Sequence, residues 1–188
     1  MRGADKPTRA EIAATAGKTL TDVIAPDLQV LFCGFNPGLY SGATGHHFAR
    51  PGNRFWPTLY AAGVTDRLPA PAEERLLLTY GYGLTNFVER ATAAASDLET
   101  AELRTRAQRL RKKIGEYRPR VPAVLGITAY RSAFARPRAT LGPQPERIHS
   151  TQVWVLPNPS GLNAHYPPEN PPREFRNFRL TIEWEEPE

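Results

Sequence analysis

Two short loops hold the residues best suited to chemistry. Gly34-Phe35-Asn36-Pro37-Gly38 follows the apolar run Val30-Leu31-Phe32-Cys33, and Pro157-Asn158-Pro159-Ser160-Gly161-Leu162 follows Val153-Trp154-Val155-Leu156. Each run has the length and composition of a buried strand. Each loop carries an asparagine followed by proline, which fixes its own φ and pushes the residue before it toward an extended conformation. Gly34 and Gly38 permit tight backbone geometry around the first asparagine. An asparagine amide stays neutral across physiological pH and is no strong general base. It can accept one hydrogen bond from a water and donate another, and so aim that water at an electrophilic carbon. Such help suffices where a bond breaks largely by dissociation, with positive charge building on a sugar ring, as in glycosidic cleavage. The plainer role for Asn36 is to cap a turn, which Asn-Pro-Gly does well.

These loops need strands behind them. In open α/β sheets, ligands bind beyond the carboxyl ends of the strands, so two strands ending in rigid Asn-Pro loops can face one crevice from two sides. Residues 83–88 read as a second strand and Val121–Leu125 as a third, with residues 152–156 as the fourth. Between them, a helix is expected after Asn53, with Pro57 in its first turn, and a short one over residues 73–79. The clearest helix is Thr100–Tyr117, where Leu103, Ala107, Leu110 and Ile114 repeat at helical spacing. Its other face is basic, a solvated surface or a contact for phosphates. Residues 128–134 form a further helix that Pro137 stops, and Thr8 with Glu11 forms a capping box for a short one near the N-terminus. Strands alternating with helices imply an α/β fold, a three-layer α/β/α sandwich around a short, mostly parallel central sheet.

The two loops in their wider setting, GFNPGLYSGATGHHFARPGNRFW from Gly34 to Trp56 and LPNPSGL from Leu156 to Leu162, resemble the mismatch-specific uracil/thymine-DNA glycosylase family of the uracil-DNA glycosylase superfamily. Weaker similarity runs through Gly81 to Leu98 and Val124 to Tyr130, so that residues 26 to 163 are covered. The resemblance implies that Asn36 orients the water and that Phe48 stacks on a base flipped out of duplex DNA. It further implies a pocket formed by Phe35, Pro37, Gly38, Ser41 and Asn158. Gly38 stands where strictly uracil-specific relatives carry a bulky Tyr, which leaves space beside C5 of a pyrimidine. Ser160, Gly161, Leu162 and Asn163 match the loop that meets DNA, with Leu162 as the wedge filling the vacated space. The Arg that the family carries after the wedge is absent here, where Asn163-Ala164-His165 follows. Glu89 and Asp97 fall in a segment that the resemblance places near the site, as carboxylates able to reach the water.

The implied activity is a monofunctional DNA glycosylase acting on uracil, preferentially in U·G mispairs, since neither motif holds a Lys for a Schiff base. A lesion- or mismatch-binding protein of the same fold with little turnover is the alternative, because Asn stands at both loop positions where stronger relatives carry Asp and His. A phosphate loop is disfavoured, as no Lys and Ser/Thr pair follows the glycines.

Composition bounds the rest. The 188 residues carry 24 basic and 19 acidic side chains, a net charge of +5, which favours a polyanionic partner, here duplex DNA. One domain is expected over residues 26–165, with an N-terminal arm over 1–25 and a Pro-rich extension over 166–188 packed on it. Within that extension, Pro167, Pro168, Pro171 and Pro172 suggest an extended linker, and residues 175–184 alternate as a late strand or docked arm. The single cysteine, Cys33, reads as a small buried hydrophobe. It rules out a disulfide framework and an iron–sulfur cluster, and suits a cytoplasmic, nucleoid-associated monomer with no cofactor. His46-His47 invites a metal reading, but ligands are too few, and these residues with Arg50 are expected to meet phosphate or solvent instead. No apolar run reaches membrane-spanning length.

Overall fold

The computed structural model describes residues 6–92, 100–159 and 170–184. A five-stranded sheet in the order β2-β1-β3-β5-β4 forms the middle layer. Its strands are β1 (Val30–Gly34), β2 (Tyr82–Asn86), β3 (Val121–Leu125), β4 (Gly142–Ile148) and β5 (Thr151–Leu156). The first three and β5 run parallel, and β4 pairs antiparallel with β5 at the edge. All five residues of β1 and of β3 are buried, as expected of parallel strands covered on both faces.

Alternation along the strands divides the core in two. On one face Val30, Phe32, Leu84 and Leu156 pack against α3 (Phe55–Ala61), the 3-10 helix Pro71–Tyr80 and α6 (Asn170–Trp184). On the other, Cys33, Val124, Val153 and Val155 meet Ala107, Leu110 and Ile114 of α4 (Thr100–Tyr117) and Ala129, Tyr130 and Ala133 of α5 (Ile127–Phe134). This is the expected three-layer sandwich. Burial pushes the Cys33 thiol well above its ordinary range, so it serves as a core side chain. The capping box also forms at α1 (Arg9–Ala13), where Thr8 Oγ1 accepts from Glu11 N at 3.2 Å and Glu11 accepts from Thr8 N at 2.7 Å.

The C-terminal segment departs from expectation. Residues 170–184 are a helix docked on the core, not a late strand, and Pro171 and Pro172 belong to that helix and not to an extended linker. Pro171 and Pro172 stand in its first turn, where a missing N–H has no intrahelical partner to lose. Phe175, Phe178 and Ile182 are buried at helical spacing, while Leu180 is 42% exposed, which rejects the period-2 reading. Pro167 and Pro168 lie outside the described residues.

The edge strand β4 is a further departure, since Gly142-Pro143-Gln144-Pro145 reads as a breaker. Proline is tolerated there because an edge strand leaves half its N–H groups without a ladder partner. Gln144 is buried, and its Nε2 donates to Thr140 O and Gly142 O. Within the opening loop, residues Leu39–Thr44 form the short helix α2, ended by Gly45 at φ 77°. The segment around 73–79 is a 3-10 helix with a kink at Glu73. Asn53 does receive the first amide of α3, from Phe55 N at 2.9 Å.

If α6 is part of the core, Phe178→Ala should cost about 3–5 kcal/mol in urea unfolding. Leu180→Ala should stay within about 0.5 kcal/mol of the parent. A docked strand with period-2 burial would make the two losses similar.

Candidate active site

The two Asn-Pro loops leave the sheet at the carboxyl ends of β1 and β5, the edge where ligands bind in open α/β sheets. Chain order brings β2 to one side of β1 and β3 to the other, so the sheet's switch point falls beside the first Asn-Pro loop. The β1–β2 register ends at Gly34↔Asn86, but main-chain pairing continues past it. Phe87 N donates to Gly34 O at 3.0 Å, Val88 N to Phe35 O at 3.0 Å, and Thr92 N to Pro37 O at 3.2 Å. The loop after β2 is thus stitched along the Asn36 loop.

Asn36 itself is half-buried. Its Nδ2 donates to Thr92 Oγ1 at 2.6 Å and to Pro37 O at 3.2 Å. A carbonyl oxygen accepts only, so the amide cannot be turned over without setting two oxygens against each other. Oδ1 is therefore directed away from both, and no donor among the described residues reaches it. Thr92 gave no signal in the sequence; only the fold brings it 56 positions back to Asn36.

Beside Asn36, Gly34 allows a close approach. A β-carbon built there would stand 2.5 Å from Asn86 Oδ1 and 3.3 Å from Phe48 Cζ. Asn86 is 6% exposed at the end of β2, and no hydrogen bond among the described residues engages its amide. Sequence reasoning missed it, having placed the residue in the middle of a strand. Gly38 has a different reason for being glycine. Its φ of −70° and ψ of 162° suit any residue, and a β-carbon there would meet nothing within 4 Å. Tight backbone geometry is thus not what Gly38 provides; it leaves open space beside the loop. Pro37 is buried, and half-buried Phe35 packs against the α4–α5 side of the core.

Phe48 stacks one face on Phe55, with centroids 3.9 Å apart and planes at 21°. Its φ of 53° is costly for an aromatic residue, so neighbours must impose it. They do so from both sides: His47 N donates to Glu74 Oε2 at 2.7 Å, and Ala49 N donates to Ser41 Oγ at 3.2 Å. Buried Ser41 thereby holds the loop that presents Phe48.

The second loop faces the first across β3, two strand spacings or about 10 Å away. Asn158 packs over Gly126, where a β-carbon would come within 3.3 Å of Asn158 Cβ. Gly126 sits at φ 111° and donates to Leu156 O at 2.8 Å. Pro159 O accepts from Arg54 N at 3.2 Å, joining the loop to the start of α3. Ser160, Gly161, Leu162, Asn163 and Asp97 lie outside the described residues.

Two groups expected near solvent or substrate have other partners. Glu89 Oε1 accepts from Lys113 Nζ at 2.9 Å, and this bond first, against the opposing effect of burial, holds its carboxyl below the usual range. Lys113 also reaches Asp22 at 2.5 Å and Thr85 Oγ1 at 3.2 Å, while Arg111 lies over the Phe134 ring. The basic face of α4 is therefore not simply solvated. Nor does His47 meet solvent or phosphate: it is 1% exposed, and its Nδ1 lies 2.9 Å from Glu74 Oε2, with His46 Nδ1 3.2 Å from Oε1. Their place beside the opening loop suggests phosphate or solvent as partners, but Glu74 arrives from the 3-10 helix.

Burial alone would raise the Glu74 carboxyl, but hydrogen bonds from the His47 side chain and main chain and from His46 outweigh it and lower it. A depressed folded-state value stabilises the fold above the unfolded carboxyl pKa of about 4.3, and that increment is lost as pH falls through the folded value. Glu74→Gln should therefore be less stable than the parent at pH 7. The gap should narrow below about pH 4 in melting curves across pH.

The comparisons with known proteins fit this geometry. The model of the uracil DNA glycosylase superfamily matches residues 21–181. Among solved structures, the solution NMR structure of a Methanosarcina acetivorans protein, described as a candidate uracil DNA glycosylase, superposes with a TM-score of 0.60. The match covers 89% of this chain and 98% of that one at 19% identity, a likeness of fold. With a family match spanning both Asn-Pro loops and every strand of the sheet, the chain belongs to the uracil DNA glycosylase superfamily.

Proposed function

We propose that the protein is a monofunctional DNA glycosylase that flips uracil from duplex DNA, preferentially from U·G mispairs, and hydrolyses its N-glycosidic bond to leave an abasic site. The observation that carries this reading is the anchored Asn36 amide, whose donor side is occupied by Thr92 and Pro37 O while Oδ1 is left for a water. In this reading the water donates to Oδ1 and is aimed at C1′ as the bond to the base breaks. Asn36 removes no proton in the rate-limiting step, because an oxocarbenium-like state needs little nucleophilic push.

Phe48, already stacked on Phe55, offers its other face to the flipped base, and the buried Asn86 amide reads the pyrimidine edge with a donor and an acceptor. Phe35, Pro37 and Gly38 line the mouth, where the open space at Gly38 admits a C5 substituent. Asn158 bonds the departing base from the second loop, and Ser160, Gly161, Leu162 and Asn163 meet the duplex with Leu162 as wedge. Ser41 acts through the Phe48 loop. Glu89, held by Lys113, braces the segment leading to Thr92 more readily than it activates water. Asp97 is retained as a second candidate for that task on sequence grounds alone.

The low-turnover, lesion-binding alternative rests on one observation: both loop positions carry Asn, so neither a carboxylate to stabilise the cation nor an imidazole to stabilise the base anion is present there.

Oligonucleotides carrying U·G, U·A, T·G or single-stranded uracil, treated with enzyme and then alkali, separate these readings. Excision should be fastest from U·G. Asn36→Ala should lower kcat by about 10²-fold or more. Thr92→Val should lower it about tenfold with KM nearly unchanged, because the amide is mispositioned rather than removed. Tight duplex binding without excision from any substrate would favour the lesion-binding reading.

A further inference from the structure

A cavity lies at the far end of the sheet from the Asn-Pro loops. It measures about 760 Å3 and is bounded by the end of α4, the start of β3 and the β4–β5 turn. Its origin is visible in the strand pairing. The β3–β5 register begins only at Ala123↔Trp154, although β3 starts at Val121 and β5 at Thr151. Val121 N donates to Gln29 O on the β1 side, so the next residue's main chain turns toward β5, and that residue is Pro122, with no N–H to give. The two strands consequently part before they begin to pair, and the gap becomes the cavity.

Its walls are strongly basic. Arg118, Arg120, Arg147 and His149 line it together with Ser150, while half-buried Trp154 supplies apolar surface. The wall is also closely fitted: a β-carbon on Gly115 would fall 2.6 Å from His149 Nε2, so this glycine in the last turn of α4 makes room for the imidazole. Among the described side chains that line the cavity there is no carboxylate; Asp27, the exposed partner of Arg118, is outside the lining.

We propose that this cavity is a second ligand site, which takes the terminal phosphate of a nucleotide. Arginine forks match phosphate oxygens, as the guanidinium presents several donors in one plane. A bare phosphate would leave most of the volume empty, whereas the cavity falls within the roughly 300–1,000 Å3 of small-molecule sites. Half-buried Trp154 gives a base an apolar wall. The strands run about 17 Å from this end to the other, so the ligand here is separate from whatever occupies the crevice. The proposal stands on the cavity's own residues and does not require glycosylase activity.

Titration of isotope-labelled protein followed by NMR tests it, with thymidine 5′-monophosphate, thymidine and inorganic phosphate as probes. The monophosphate should shift His149, Ser150 and the Trp154 indole saturably, phosphate more weakly, and thymidine not at all. Arg118→Gln with Arg147→Gln should weaken binding about tenfold or more while melting curves confirm a folded protein. A single-stranded hexamer with and without a 5′-phosphate distinguishes the sources: phosphate-dependent binding points to strand ends, and binding of the monophosphate alone to a free nucleotide. Equal binding of thymidine, or an unchanged affinity in the double variant, would overturn the proposal. So would tighter binding of a hexa-aspartate peptide at the same residues, which would assign the cavity to an acidic protein segment, or displacement of the nucleotide by a short blunt duplex without terminal phosphates.

Discussion

Three main-chain hydrogen bonds that extend the β1–β2 pairing beyond the strands determine where Asn36 points. From Phe87 to Gly34, Val88 to Phe35 and Thr92 to Pro37, they hold two loops side by side. In the proposed role of Asn36 this leaves little tolerance for error, since an amide contributes by direction and not by basicity. Thr92 completes the constraint at 2.6 Å, and Pro37 O decides which end of the amide is the donor side of this contact. The N-terminal segment backs the arrangement from outside, through Leu20 N to Glu89 O and Ala91 N to Lys18 O. Lys113 ties Asp22, Thr85 and Glu89 together from below.

The aromatic side of the crevice is built on a different principle. Phe48 occupies a left-handed conformation, and the cost of about 1–3 kcal/mol must be met by its surroundings. Glu74 and Ser41 meet it by holding the amides on either side, and Trp56 Nε1 adds a bond to His47 O at 3.2 Å. The stack on Phe55 then carries the ring's position directly into the core. Polar tethers and core packing thus converge on one half-buried ring.

Local pattern revealed much of this. The apolar runs before the two loops are β1 and β5, Thr100–Tyr117 is α4, and the alternation of strands and helices matches the sandwich. The misses share a cause, which is that a partner distant in sequence decides the outcome. Residues 175–184 satisfy both periods until Leu180 is seen outside and Phe175 inside. Pro143 and Pro145 argue against a strand unless that strand lies at an edge. Thr92 and Asn86 look like ordinary loop and strand residues until the β1–β2 register sets them beside Asn36 and Gly34. His46 and His47 lack a visible carboxylate because Glu74 is 27 residues beyond His47.

The most direct measurement is a crystal structure of the protein with a U·G duplex in which 2′-fluoro-2′-deoxyuridine replaces the scissile nucleotide, so that the intact bond can be seen. The account predicts uracil outside the helix, stacked on Phe48, with a water about 3 Å from Asn36 Oδ1 on the side of C1′ opposite the base. A water held instead by Glu89 or Asp97, with Asn36 turned away from C1′, would contradict it.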